Sequence, residues 1–399
     1  MQQNKRILGL DVSKSSVSVC LLESKPNNPR QFYYECPFKN FKANSEGIKA
    51  LLALKPDIAV MEPTGVNYSR LWGTHLARTG IEVYLVGHKD LRSYREHHLN
   101  LPDKDDDADA LALACYYFDY CSDPRRFVQI RDLATTRIRE LVLRLAHLNR
   151  VQSPIINRLR QDLAWQFPEL AHIKSRRAIN GNVPLLWGWL CGERKSKKYD
   201  ALCDRSIGLG ISQTVKHHAR RICDLQKEEH SIEMELQQLL IDPKFTAYRK
   251  VFKSFGFGLR LESIILSQIY PISAYFGADG KPEVRIRKGR KSGKPTKRYL
   301  SLRRFQKSLG LAPSLEASGD KSKIKIVGGS DLCRIAFWQW VFTRIEVKRC
   351  RLDNEIGETL GSQLDLEKAA GRSVRLVRSR ISAKAAKLLF RELVKGLNK

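Results

Sequence analysis

The chain has 399 residues, 42% of them apolar and 28% charged, with 71 Lys+Arg against 42 Asp+Glu and a formal charge of +29. That length allows two or three domains with more than one buried core, and the composition is that of a globular protein. No run of about 18 apolar residues occurs, which argues against a transmembrane helix and a membrane partner.

The nine cysteines form no CxxC pair, so reduced thiols are expected rather than a disulfide framework or a zinc site. The start, "MQQNKRILGLDVSKS", reaches a charged turn after one short apolar run and does not read as a signal peptide. A cytoplasmic location follows as an expectation. The charge is uneven: residues 1–120 carry 15 basic and 15 acidic side chains, and the remaining 279 carry 56 against 27. A neutral head on a basic body points to acidic chemistry on a platform that holds a polyanion, and nucleic acid is the natural one.

In chain order, "RILGLDVSKSSVSVCLLES" alternates as a half-buried hairpin does, and "RQFYYECPF" reads as a third strand. "SEGIKALLAL" has helical spacing, "DIAVMEPTG" is a short buried strand ending in a turn, and "NYSRLWGTHLARTG" is a helix closed by Gly80. With the strand "EVYLVG" these predict an α/β domain with a mixed sheet over residues 1–120. From about Arg131, apolar residues from Ile138 to Leu159 recur at steps of three and four, with Pro154 expected to bend or break the helix. A second such run spans Val215 to Leu239. Residues 121–248 are therefore expected to form an antiparallel helical, coiled-coil arm.

Residues 249–399 are predicted to be mostly helical. They carry a basic insertion at 281–304, with 11 Lys+Arg and one Glu, and a basic tail with ten Lys+Arg from Lys368 to Lys399. Its Gly, Ser and Pro make the insertion an exposed loop or hairpin. Arg285, Arg287, Lys288, Arg290, Lys291, Lys294, Lys297 and Arg298 are the expected nucleic-acid contacts.

The chemistry is expected in the first 120 residues. Asp11 closes the first strand and Glu62 ends another buried one. "LNLPDKDDDADALALACYY" holds five aspartates within seven residues, and Asp106 and Asp109 in it share one helical face. One or two carboxylates suffice to offset a helix dipole. Carboxylates from three separated segments can converge on two Mg²⁺ ions, which clamp the attacking and leaving oxygens of a phosphodiester.

"LGLDVSKS", "MEPTGVNY" and "DKDDDADALALA" together resemble the motifs of the DEDD insertion-sequence transposases of the Piv-invertase type, whose first domain is RuvC-like, that is, RNase H-like. The family's third motif falls on Lys104, Asp106, Asp109 and Ala110, while Asp105 and Asp107 are extra and compete for the ligand role. "FGFGLRLESIILSQI", "FQKSLGLAPSLEASGDKSK" and "DLCRIAFWQW" resemble the family's second domain, although Phe255 stands where the family has proline. The resemblance implies Asp11, Glu62, Asp106 and Asp109 as ligands of Mg²⁺ (or Mn²⁺), and Ser318, before Gly319, as the nucleophile, with Ser314 as the fallback. It further implies donor and target DNA, a structured non-coding guide (bridge) RNA, and a homo-oligomer, dimer or tetramer. The alternatives are a RuvC-like metal-dependent nuclease of the Holliday-junction resolvase type, or a non-catalytic nucleic-acid-binding scaffold.

Overall fold

A computed structural model describes residues 5–397 except 66, 102, 129, 131, 176–180, 290–292, 319, 320 and 327. It divides into two units, Met1–Arg131 and Asp132–Lys399.

The first unit is built on a five-stranded mixed sheet. Strands β1 (Ile7–Val12) and β2 (Ser16–Leu22) form a hairpin, closed at its turn by the Ser13 hydroxyl donating to the Ser16 carbonyl at 3.0 Å. After helix α1 (Pro29–Glu35), β3 (Lys39–Lys42) adds antiparallel to β2. Helix α2 (Ser45–Leu52) leads to β4 (Ile58–Met61), and α3 (Tyr68–Arg78) to β5 (Glu82–Leu85). Both of these strands run parallel to β1, giving the order β3-β2-β1-β4-β5. Helices α4 (His88–His97) and α5 (Asp106–Tyr120) complete the unit. This mixed α/β sheet is consistent with the RNase H-like head expected above.

Two local expectations change. "RQFYYECPF" is not a strand: Asn28 caps α1 by accepting from the Gln31 N–H at 3.1 Å and Pro29 opens it, so the capping signal outweighs the β propensity of the aromatic run. Nor is β1 half-buried. Ile7 packs in a core with Ile58, Val60 and the apolar face of α5, while Leu8, Leu10 and Val12 pack on the other side with Leu51, Trp72 and Leu76. A central strand with helices on both faces loses the polar half of its alternation.

In the second unit, α6 (Leu133–Gln166) and α10 (Gln213–Leu239) run antiparallel. Ion pairs fix the direction: Arg137 meets Glu235 at 2.6 Å and Arg144 meets Glu228 at 2.5 Å. Helix α6 continues through Pro154, which lies on its exposed face, so the carbonyl that proline leaves without an intrahelical donor can face water. Between these long helices sit α7 (Pro168–Ala171), α8 (Leu185–Leu190) and α9 (Lys197–Cys203). They share a core of Leu163, Phe167, Trp187, Tyr199 and Ile222 with the adjoining halves of α6 and α10.

The opposite halves of α6 and α10 join a larger core that continues to Leu393. It gathers α11 (Thr246–Ser254), α12 (Leu259–Ile269) and, after the ribbon β6 (Val284–Lys288)–β7 (Pro295–Tyr299), α13 (Leu300–Ser308). A second hairpin, β8 (Pro313–Ser318)–β9 (Lys321–Ile326), precedes α14 (Asp331–Trp340), α15 (Glu355–Ala369) and α16 (Val374–Leu397). The basic tail is thus largely a core helix: Val377, Ile381, Leu389 and Leu393 are buried, and Arg378 and Arg380 pair with Glu346 and Glu367. No helix among the described residues is long and apolar enough to cross a membrane.

Candidate active site

Gly9 decides where the acidic helix lies. A Cβ at Gly9 would stand 2.0 Å from the Ala110 carbonyl oxygen and 2.7 Å from the Ala114 nitrogen, so the backbone of α5 touches β1 there. The small residues Ala108, Ala110, Ala112 and Ala114 are all buried and permit the approach. Asp11 lies two residues beyond Gly9, on the same strand face. The close approach therefore carries the first turn of α5 to Asp11. Leu10 pairs with Met61 across the parallel β1–β4 ladder, so the residues that follow, Asp11 and Glu62, stand at the same end of neighbouring strands.

The five aspartates divide their work. Asp105 is the N-cap of α5, accepting from the Ala108 N–H at 2.7 Å and from the Tyr33 hydroxyl at 2.6 Å. Asp107 turns to β2 and accepts from the Ser18 hydroxyl at 2.7 Å. Asp103 contributes its backbone carbonyl, which accepts from Arg95. Asp106 and Asp109 are left toward Asp11. The two extra aspartates of the motif are thus occupied by a cap and a strand contact.

Electrostatics follow from that crowding. Burial, then the charges of Asp109 and Asp106 and a hydrogen bond shared with Asp106, push the Asp11 carboxyl up to about 7; Lys104 opposes this without cancelling it. Burial also raises the Asp109 carboxyl, against the pull of Arg95 and Lys104. Arg95 is 2% exposed, and its Nε lies 3.0 Å from an Asp109 oxygen, an ion pair whose angle makes no hydrogen bond. The Glu62 carboxylate, largely buried, is met by His88 Nδ1. Glu62, His88, Arg92, Arg95, Lys104 and Asp109 line one cleft of about 560 Å³.

The four carboxylates gather at one end of the sheet but no three of them come within 4.8 Å of one another; among the described residues that closeness is met by Cys191, Glu193 and Cys223 in the second unit. There the Sγ atoms are 3.8 Å apart and Glu193 is paired with Lys227 at 2.8 Å. Burial raises the Cys223 thiol.

His88 and Arg95 do not stand out in the sequence as chemical groups, and Lys104 does so only as the lysine of the third motif. Arg95 carries a readable signal all the same: with Leu91 and Tyr94 it falls on the buried stripe of α4, where an arginine needs a partner.

Ser318 ends β8, its backbone in register with Lys321; its side chain and Gly319 lie outside the described residues. Ser314, on the same strand, is half-buried. Arg285, Arg287, Lys288, Lys297 and Arg298 project from the exposed β6–β7 ribbon, and Lys294 is exposed just before β7. Arg290 and Lys291 lie outside the described residues.

No curated protein matches the chain. Residues 8–168 match the family model of the IS110-type DEDD proteins, whose description is transposase. That span contains Asp11, Glu62, Asp106 and Asp109. Over residues 8–168, about two fifths of its length, the chain is similar to the DEDD transposases of the IS110 type.

Proposed function

We propose that the chain acts as the recombinase of an insertion sequence, with Asp11, Glu62, Asp106 and Asp109 holding Mg²⁺ or Mn²⁺ and Ser318 attacking DNA. The observation that carries the metal reading is the state of Asp11. A carboxyl pushed up to about 7 by burial and two neighbouring carboxylates is a set of hard oxygen donors short of positive charge. That donor chemistry fits a hard divalent cation. When bound, the cation supplies charge for the phosphodiester oxygens.

The protein's own groups do the rest. Asp105 and Ser18 hold the first turn of α5 in place, so that Asp106 and Asp109 keep their aim. Arg95 ties Asp109 to the chain before the helix. The Ser318 hydroxyl gives up its proton and forms the new P–O bond as the bond to the departing DNA oxygen breaks, and that oxygen takes up a proton in exchange. A serine hydroxyl needs activation for this, and "EASGDKSK" around it offers lysines but no histidine base. The reading assigns that activation to a cation held by Asp11, Glu62, Asp106 and Asp109, and the protein acts as a homo-oligomer. The exposed cations of 281–304 hold nucleic-acid backbone, and a structured guide RNA reads donor and target by base pairing while the protein reads backbone shape and charge.

The test is to incubate the protein with DNA and Mg²⁺ and search by mass spectrometry for a DNA adduct on Ser318. An adduct that is lost in Ser318→Ala and in Asp106→Asn supports the reading. A Ser318→Ala variant that cuts normally leaves a metal-dependent nuclease instead.

A further inference from the structure

The β6–β7 ribbon has features that ordinary charge does not explain. Ile286 is 71% exposed, Tyr299 52% and Val284 45%, on a ribbon whose other residues are cations apart from Pro295 and Thr296. Glu283, the acidic residue just before β6, is already matched by Arg285 at 3.1 Å and Arg304 at 2.9 Å. Between the ribbon and α13 lies an open trough of about 760 Å³. Arg285, Arg287, Arg298 and Arg303 belong to its walls, Leu302 and Pro313 give it apolar surface, and no carboxylate lines it. Arg303 donates to the Pro313 carbonyl at 3.3 Å, which ties α13 to the start of β8.

We propose that this trough binds a single-stranded segment of DNA, with Tyr299 stacked on a base and the trough arginines on the backbone. Basic walls that track phosphates and an aromatic face on which a base stacks are the recognised physics of single-strand binding. Duplex DNA suits the shape less well. A two-stranded ribbon enters the roughly 12 Å major groove as the convex partner, and Tyr299, at the base of the ribbon beside α13, would then stay outside the groove. The trough is concave and its aromatic residue lies within it. Pro313, on the trough, opens the strand that ends in Ser318. A strand held there is delivered to the hairpin that carries the nucleophile. The choice of DNA over RNA rests on the reading of Ser318 given above.

The experiment uses the full-length protein and fluorescence anisotropy with three labelled probes of one sequence: single-stranded DNA, its duplex and single-stranded RNA. Tyr299→Ala is expected to weaken single-stranded DNA binding by roughly 5- to 150-fold, with Tyr299→Phe close to wild type and duplex binding unchanged. Independently of any variant, a strand carrying 5-iododeoxyuridine is expected to photocrosslink to Tyr299, as read by mass spectrometry. Equal losses on single strand and duplex, no loss in Tyr299→Ala, tighter binding of the RNA, or a crosslink confined to other residues overturns the inference. Arg285→Gln combined with Arg298→Gln separates it from the broader reading. If that pair leaves the salt dependence of every probe unchanged, the nucleic-acid role of the segment fails. If the salt dependence flattens while Tyr299→Ala has no effect, only the single-strand trough fails.

Discussion

The carboxylate end of the first unit's sheet and the β6–β7 ribbon of the second concentrate charge in opposite ways. At the sheet end, few charges are buried together, so each feels the others: Asp11 is driven up to about 7, and Arg95 is enclosed beside Asp109. On the ribbon, many like charges sit in water, where screening over about 10 Å makes their crowding cheap. Buried charges of one sign need a specific counter-ion at a fixed place. Exposed ones need only a polyanion laid across them. The first arrangement suits a metal centre and the second a nucleic-acid surface.

The largest expected effect is on activity. Asp106→Asn and Asp109→Asn are each expected to reduce Mg²⁺-dependent DNA cutting to background with the fold intact by circular dichroism. Asp105→Ala is expected to keep cutting activity but to cost about 1 kcal/mol, the typical value of an N-cap, in denaturant titration. Full activity in the first pair would move the ligand role to Asp105 or Asp107.

Gly9→Ala follows in size. Its Cβ would meet the α5 backbone at Ala110, not a flexible side chain, so a destabilisation of about 3 kcal/mol is expected from overpacking, read by urea unfolding. A value near zero would mean that α5 does not rest on β1.

The third prediction concerns pH. The Asp11 carboxyl titrates at about 3.8 in the unfolded chain and at about 7 in the folded, metal-free protein. Between these values the folded state holds the extra proton, so stability falls as pH rises through that window. Thermal melts without metal from pH 4.5 to 8 are expected to show the fall, Asp11→Asn to flatten it, and Mg²⁺ at pH 8 to restore melting temperature in the wild type alone. A wild-type profile that is flat without metal would contradict the crowding.

The smallest effect on stability is expected on the ribbon. Replacing Arg285, Arg287, Lys297 and Arg298 by Gln is expected to change stability by less than about 0.5 kcal/mol, as exposed positions do. The log–log slope of binding against salt is expected to flatten by roughly 0.9 for each duplex phosphate that the variant no longer neutralises. An unchanged slope would mark the ribbon as a solvated loop.

Several features are legible in the sequence because their causes are local. The β1–β2 hairpin follows from a short turn between apolar runs, the start of α5 from a capping aspartate before "ALALACYY", and the ribbon from Gly and Pro among cations. Other features are set by neighbours distant in sequence. The alternation of β1 suggests a half-exposed strand, but helices cover both its faces; Pro154 suggests a break, but its side of α6 faces water. The run "RQFYYECPF" misleads for a local reason, because the Asn28–Pro29 cap outranks the propensity of the aromatics.

What the sequence by itself determined is the inventory: five aspartates at a helix start, Asp11 and Glu62 at strand ends, a neutral head and a basic body. Only the tertiary structure decided which aspartates face Asp11. Spacing placed Asp106 and Asp109 on one helical side, but which side meets β1 depends on the missing side chain of Gly9, on Ser18 drawing Asp107 away and on Tyr33 holding Asp105. The buried Arg95 is of the same kind. A charge acquires its partner, and its shifted protonation, only when packing removes the water that would otherwise have served both.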